Sequence, residues 1–430
     1  MTQHRFARIG LLLAAIGLGA VPALVQTAHA QDKQAAAAPQ ETVRKDMVKF
    51  LDGKVLSPLL EAKKYDEVKA LLDQADAMPN KTPYEQYIIN RMRLATALGM
   101  GDKPKLIEML EYILGSGRLD KAEQTKFTQA LAGYYQEQKN YPKTIENLQK
   151  YGELSGDPKV ARQIMAIRFE SGDYKGVQAD LLKKLNDGIK ANQPMTREEL
   201  HMLADASHRL KDKATYLTAL EGLVRWHPRD RYWSDMLYRT RGKENYSTRF
   251  SADIIRLQKM ATTKMEEQDY VELAEVDQLE GQFIEGKAAL DAGIANGAVT
   301  QNAKIKKLKA ELDKQAADDV KNIASTESSA RKAKNGTGMV NLGYAFVTMG
   351  QYDKGIQLIQ DGIAKGGLKN AEDAKLRLGY SYAMAGKKEE AIKILESVQG
   401  ADGRADLARY WILWVNRPYP ATAGDDEKQG

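Results

Sequence analysis

Two histidines and an aspartate stand at helical spacing near the middle of the chain. His201, Asp205 and His208 occupy positions i, i+4 and i+7, so they share one face of a helix, and Arg209 lies beside them. Two imidazoles and a carboxylate in this arrangement can ligate zinc or share a proton. One helix supplies all of them, and the chain has no His-Glu-x-x-His core. We therefore interpret the set as a polar patch, and a metal-dependent hydrolase is kept as the less favoured alternative.

A glycine-rich stretch resembles half of a phosphate-binding loop. Residues 281–287 fit the Gly-x4-Gly-Lys pattern, but Ala288 stands where a magnesium-binding Ser or Thr is needed. No strand is predicted before it. The sequence therefore predicts no nucleotide cofactor.

Basic and aromatic residues alternate just beyond His227. Such a mixture suits an anionic glycan, a lipid headgroup or an acidic peptide, and it also suits aromatic packing with solvated arginines beside it. Both interpretations stay open. With no nucleophile elbow or catalytic triad in the chain, we expect a protein that is not an enzyme. The residues of this stretch are Arg225, Trp226, Arg229, Arg231, Tyr232, Trp233, Arg239 and Arg241.

The elements that position these side chains are helical pairs, and the clearest copies lie in residues 342–398. Leu342-Gly343 followed by Phe346 recurs 36 residues later as Leu378-Gly379 followed by Tyr382. Small residues at fixed places, with apolar residues three and four apart, indicate stacked helical hairpins rather than one globular core.

The second half of this pattern, a break followed by a helix, occurs eight times. The intervals between its first residues are 33 to 39 residues, apart from two gaps of 70 and 69 that we expect to hide one degenerate pair each, in 231–265 and 300–322. The eight first residues are Tyr65, Lys103, Tyr141, Tyr174, Lys213, Phe283, Tyr352 and Lys388.

These segments resemble tetratricopeptide (TPR) repeats of the exported bacterial type. The Leu-Gly pair with an aromatic three residues after the glycine matches at 342–346 and 378–382, whereas the family's early Trp is missing. The resemblance implies a concave groove that binds peptides, with Tyr344 and Tyr380 pointing into it. The basic and asparagine positions of the chaperone-tail-binding subfamily are absent.

The predicted fold class is all-α, an α-α superhelix or TPR-like solenoid of about eight to ten helical pairs. The predicted layout is a signal peptide (1–30), a flexible leader (31–40), an N-terminal solenoid (41–322), a linker (323–338), a C-terminal TPR pair with a capping helix (339–417) and a disordered tail (418–430).

The beginning of the chain predicts export. A short basic start precedes an apolar run from Ile9 to Val25, and Ala28-His29-Ala30 ends it, which is typical of a signal peptide cleaved after Ala30. A retained membrane anchor is the alternative. The chain has no cysteine, and its formal net charge of +6 is too mild to indicate nucleic acid. We expect a periplasmic protein without an integral membrane span after signal removal.

Together these observations predict a non-enzymatic periplasmic TPR scaffold or adaptor that binds a protein or peptide partner of the cell envelope. An accessory component of an outer-membrane transport or polymer-export machine is the alternative. No cofactor and no metal are expected. The predicted partner-binding residues are Tyr344, Tyr380, His201, Asp205, His208 and Arg209.

Overall fold

The computed structural model describes residues 41–417, and the regular elements in that range are helices. The predicted all-α fold class is therefore confirmed. The predicted signal peptide (1–30), leader (31–40) and tail (418–430) lie outside the described residues. No helix between 41 and 417 is both long and apolar enough to span a membrane.

The chain divides into two compact units between Asp173 and Tyr174. The described part of the first unit contains α1 (Lys45–Leu51), α2 (Gly53–Glu61), α3 (Tyr65–Asp76), α4 (Pro83–Met100), α5 (Lys103–Gly115), α6 (Lys121–Glu137), α7 (Tyr141–Ser155) and α8 (Val160–Glu170).

The second unit begins with α9 at the division. Its described helices are α9 (Tyr174–Ala191), α10 (Arg197–Arg209), α11 (Lys213–Trp226), α12 (Asp230–Arg241), α13 (Ser251–Ala261), α14 (Glu267–Glu280), α15 (Phe283–Ala295), α16 (Ala303–Lys332), α17 (Thr337–Thr348), α18 (Tyr352–Lys365), α19 (Ala371–Met384), α20 (Lys388–Glu396) and α21 (Arg404–Val415), and a 3-10 turn, Thr248–Phe250, precedes α13.

All eight residues predicted to open a repeat helix are the first residue of one. The residue two positions before each has a left-handed backbone, with φ between 57° and 90°. Glycine adopts this conformation without a steric cost, and it commonly ends a helix in this way. The breaks seen in the sequence are therefore helix C-caps that reverse the chain. The left-handed residues are Lys63, Gly101, Lys139, Gly172, Lys211, Gly281, Gly350 and Gly386.

The small residues of the repeat allow α17 and α18 to approach closely. A Cβ atom added to Gly343 would lie 2.7 Å from the carbonyl oxygen of Gly355, and one added to Gly355 would lie 2.5 Å from that of Gly343. Because real Cβ atoms do not come this near to backbone, larger residues at either position would force the helices apart.

The predicted linker at 323–338 is wrong over most of its length, because α16 continues through it to Lys332. Its polar residues form a solvated helix. Ile323 and Ala330 pack toward the α17–α18 pair, and Glu327 pairs with Arg331 at 3.1 Å. The second long gap thus holds a single 30-residue helix, whereas the first holds α12 and α13.

The last helix of the second unit returns to helices much earlier in the chain. The hydroxyl groups of Tyr410 and Thr240 lie 2.8 Å apart, and Trp414 Nε1 donates to the carbonyl oxygen of Met260 at 2.7 Å. These bonds join α21 to α12 and α13, and α21 also packs against α11, α19 and α20. This contact, together with the unbroken α16, explains why the second unit does not divide at the predicted linker.

Candidate partner-binding surface

Helix α10 carries four of the predicted binding residues. Thr196 and Glu199 form a reciprocal capping box that starts the helix. Leu203, Ala204 and Ser207 are buried on one side of the helix. The opposite side exposes Asp205, His208 and Arg209 and leaves His201 half-buried. The structure thus brings these four side chains to one face.

His201 is hydrogen-bonded to Tyr232 of α12. Its Nε2 lies 2.8 Å from the hydroxyl oxygen of Tyr232, and Arg231 Nη2 donates to the same oxygen at 2.9 Å. Burial lowers the pKa of His201, and the nearby Arg231 lowers it further. A neutral imidazole whose Nε2 accepts the Tyr232 proton fits both hydrogen bonds.

A second aromatic contact lies around His208. Its ring meets that of Tyr216 edge to face, with centroids 6.2 Å apart. The Tyr216 hydroxyl donates to Asp235 at 2.8 Å, and burial together with this carboxylate raises the pKa of Tyr216. Arg239 lies over the same ring at 4.1 Å and bonds Asp235 at 2.6 Å.

Two further arginines lie over tyrosine rings. The guanidinium carbon of Arg209 is 5.9 Å from the ring centroid of Tyr174, and that of Arg231 is 4.8 Å from that of Tyr232. Such cation–π contacts orient a guanidinium while its N–H groups stay available to a carboxylate. We call the whole set the α10 surface. Its members are His201, Asp205, His208, Arg209, Tyr216, Arg231, Tyr232, Asp235 and Arg239.

The α10 surface does not assemble a metal centre. Within residues 41–417, no three His, Cys, Asp or Glu side chains are grouped so that they could hold a metal ion. His201 is hydrogen-bonded to Tyr232, and His208 packs on Tyr216. The metal-dependent hydrolase alternative therefore lacks a metal site in the described part of the chain.

The other two predicted residues lie elsewhere, and the expectation for Tyr344 is wrong. Its side chain is only 1% exposed, because Arg256 of α13 and Arg377 of α19 lie over its ring at 5.1 and 5.2 Å. Tyr380 is partly buried between Tyr344 and Trp411. The buried Tyr344 therefore lines no open groove, whereas the partly exposed Tyr380 stays a predicted binding residue.

The repeat architecture is also recognised by sequence. Residues 373–401, which span α19 and α20, match the tetratricopeptide repeat family. The chain therefore contains a segment similar to a tetratricopeptide (TPR) repeat at this place. Repeats of this kind form scaffolds for protein–protein interaction. No curated protein matches the chain by sequence.

Solved TPR structures resemble this protein only distantly. The TPR2AB domain of yeast Sti1, solved as a complex with pHSP90, is 12% identical, with a TM-score of 0.23, and the match covers 68% of this chain and 99% of that one. Yeast Tom70 is 13% identical, with a TM-score of 0.23 and coverage of 86% and 96%. The TPR domain of P58(IPK) is 10% identical, with a TM-score of 0.22 and coverage of 86% and 97%. With scores this low, these similarities say nothing about what the present protein binds.

The second unit also contains a buried charged cluster that was not predicted from the sequence. Arg256 is 3% exposed and bonds Glu285 at 2.9 Å, Asp253 at 3.1 Å and Asp277 at 2.5 Å. A signal existed, because Arg256 interrupts the apolar run of Ile254, Ile255 and Leu257. A charge inside such a run indicates a buried ion pair.

The first unit has a cavity of about 180 Å³ between α3, α4 and α5, and a larger one of about 540 Å³ between α5, α6 and α7. Thr128 and Asn147 are the buried polar residues in the lining of the larger cavity. No residue predicted to bind a partner lines either one. The larger cavity is lined by Glu111, Leu114, Gly115, Gln124, Thr128, Leu131, Lys143, Glu146, Asn147, Lys150, Glu153 and Leu154.

Proposed function

We propose that this TPR protein is a non-enzymatic periplasmic scaffold, and that it holds an acidic segment of a cell-envelope protein on the α10 surface. The TPR fold supports the general role, because such repeats are interaction scaffolds. The periplasmic location rests on the signal-like residues 1–30 and on the absence of cysteine from the sequence.

The observation that carries the proposal is the pair of exposed guanidinium groups on tyrosine rings. Arg209 and Arg231 are oriented by Tyr174 and Tyr232, so little side-chain freedom is lost when a carboxylate binds. Arginine recognises carboxylates through paired N–H donors. The partly exposed Tyr174 adds apolar area beside Arg209, and tyrosine with arginine is a combination that is enriched where interfaces hold most of their binding energy.

To test the proposal, an extract of envelope proteins is passed over the immobilised protein, beginning at Gln31, which serves as the bait. The wild-type bait is compared with Arg209→Glu and with Lys183→Glu, which makes the same charge change at an exposed lysine of α9. We expect at least one envelope protein to bind wild type and Lys183→Glu equally and Arg209→Glu about tenfold less, since tenfold corresponds to about 1.4 kcal/mol. Quantitative mass spectrometry measures the retained amounts.

Equal retention of every protein by all three baits would contradict the proposal. So would a protein that loses binding to both variants, because that pattern reports overall charge rather than the α10 surface.

A further inference from the structure

The buried charges around Arg256 do not balance. One guanidinium faces three carboxylates, those of Asp253, Asp277 and Glu285. The side chain of Asp277 has no exposed surface, whereas those of Asp253 and Glu285 are 16% and 12% exposed. If all three carboxylates were ionised, the cluster would place two uncompensated negative charges inside the second unit. A protein interior strongly disfavours such charge.

Unpartnered buried oxygens lie in the same cluster. Among the described residues, Asp277 Oδ2, Gln282 Oε1, Glu285 Oε2 and the Tyr344 hydroxyl are buried without a hydrogen-bond partner. Arg256 bonds only the other oxygen of Asp277 and of Glu285. A proton on Asp277 Oδ2 would turn one of these acceptors into a donor and would remove one of the excess charges.

We propose that Asp277 takes up a proton from solvent, and that loss of this proton as the pH rises weakens the attachment of α13 to α14 and α15. Proton uptake is a single step, in which the Asp277 carboxylate and one proton form the neutral carboxylic acid. When Asp277 ionises, the second excess negative charge returns next to Arg256. Arg256 bonds Asp277 of α14 and Glu285 of α15, so this charge lies where α13 is joined to both helices.

The groups facing Asp277 from each neighbouring element agree with this assignment. Burial raises the pKa of Asp277 to about 8, and Arg256 opposes that rise while the neighbouring carboxylates add to it. The same burial raises the pKa of Glu280 on α14, which lies 3.5 Å from Arg377 of α19. The charges that act on Asp277 itself are those of Arg256 and Asp253 of α13, Glu280 of α14 and Glu285 of α15. Tyr344 of α17 and Asp373, Arg377 and Tyr380 of α19 interact with other members of the cluster.

The sign of the effect follows from linkage. The folded pKa of Asp277 is raised, so its contribution to stability is complete below the ordinary value of 3.8 and is lost as pH rises through about 8. Within that window one linked proton changes an opening equilibrium about tenfold per pH unit. Above the window the contribution is constant.

The test is native-state hydrogen exchange of the α13 amides in the full mature chain between pH 5 and pH 7.5, corrected for intrinsic exchange. As the pH rises, the protection of the α13 amides against exchange should fall in wild type. This fall should be steeper than in Asp277→Asn, whose side chain cannot ionise, by about tenfold per pH unit. Glu275→Gln, which removes an exposed carboxylate from the same helix, serves as the control and should keep the wild-type slope.

Glu285→Gln provides a second arm in case Asp277→Asn does not fold. It removes one carboxylate from Arg256, so Asp277 should ionise at lower pH and the slope should flatten above that point. The proposal is overturned if wild type shows no such slope, if the folded Asp277→Asn protein keeps it, or if Glu285→Gln leaves it unchanged.

Discussion

The charge of His201 depends on the residues that surround it in the α10 surface. The Nε2 atom of His201 is hydrogen-bonded to the hydroxyl group of Tyr232, and Arg231 donates to the same hydroxyl. Both burial and the arginine disfavour the imidazolium form. The positive charge of this part of the α10 surface therefore lies on Arg231 rather than on His201.

We predict that His201 titrates below its ordinary pKa of 6.5 and that Arg231→Gln moves its pKa upward toward that value. The upward shift is partial, because burial is the larger cause and remains. Since the folded pKa is lowered, the contribution of His201 to stability is present above about pH 6.5 and is lost as pH falls. Histidine ring NMR signals followed from pH 4.5 to 8 measure both proteins.

Lys183→Gln, which removes an exposed positive charge from α9, is the control and should leave the titration of His201 unchanged. A His201 that titrates at or above 6.5, or one that is insensitive to Arg231→Gln, would show that the hydrogen-bonded arrangement around Tyr232 is absent in solution.

At the scale of elements, the close pairing of helices depends on glycines, which have no side chain. Gly343 and Gly355 let α17 and α18 meet backbone to backbone. Gly133, which lies inside α6, has no atom within 4 Å of the place that a Cβ would occupy and so has no such role. Gly343 and Gly133 thus offer a matched comparison between a packing position and an ordinary helix position.

We predict that Gly343→Ala lowers the free energy of unfolding by about 1–3 kcal/mol, because the new methyl group meets the Gly355 carbonyl oxygen and Ile359. Gly133→Ala should instead be neutral or stabilising by up to about 1 kcal/mol, since alanine favours helix. Urea unfolding followed by circular dichroism measures both. A Gly343→Ala protein as stable as Gly133→Ala would mean that the two helices are not in close contact.

The repeats could be predicted from the sequence because their signals are local. A left-handed turn residue and an apolar stripe lie within a few positions of each other, and all eight predicted helix starts are confirmed. The helical part of 323–338 was missed because only Ile323 and Ala330 of that stretch of α16 pack inward while its remaining residues are polar. Low apolar content alone does not distinguish a solvated helix from a linker.

The candidate site was predicted only in part, for a related reason. The four α10 residues share one helix, so their common face follows from spacing. The burial of Tyr344 depends on Arg256, 88 residues earlier in the chain, and on Arg377, 33 residues later. Contacts between residues so far apart in the chain produce no periodic pattern in the local sequence, so they could not be predicted from it.

At the scale of the whole molecule, the second unit departs from a simple solenoid. In a simple solenoid each repeat contacts only its neighbours, but α21 packs on α11 and α13. Helix α13 supplies Arg256, which lies over the buried Tyr344, and α21 supplies Trp411, which packs against Tyr380. The proposal therefore places partner binding at α10, whose polar face is exposed.

The most direct test of this assignment is site-specific photo-crosslinking in cells that produce the full chain. A photoreactive amino acid replaces either Asp205, exposed in the α10 surface, or Lys183, exposed on α9. We predict an adduct of defined mass at position 205, no such adduct at position 183, and loss of the adduct when Arg209→Glu is added. No adduct at 205, or the same adducts at both positions, would contradict the claim that the α10 surface binds a partner.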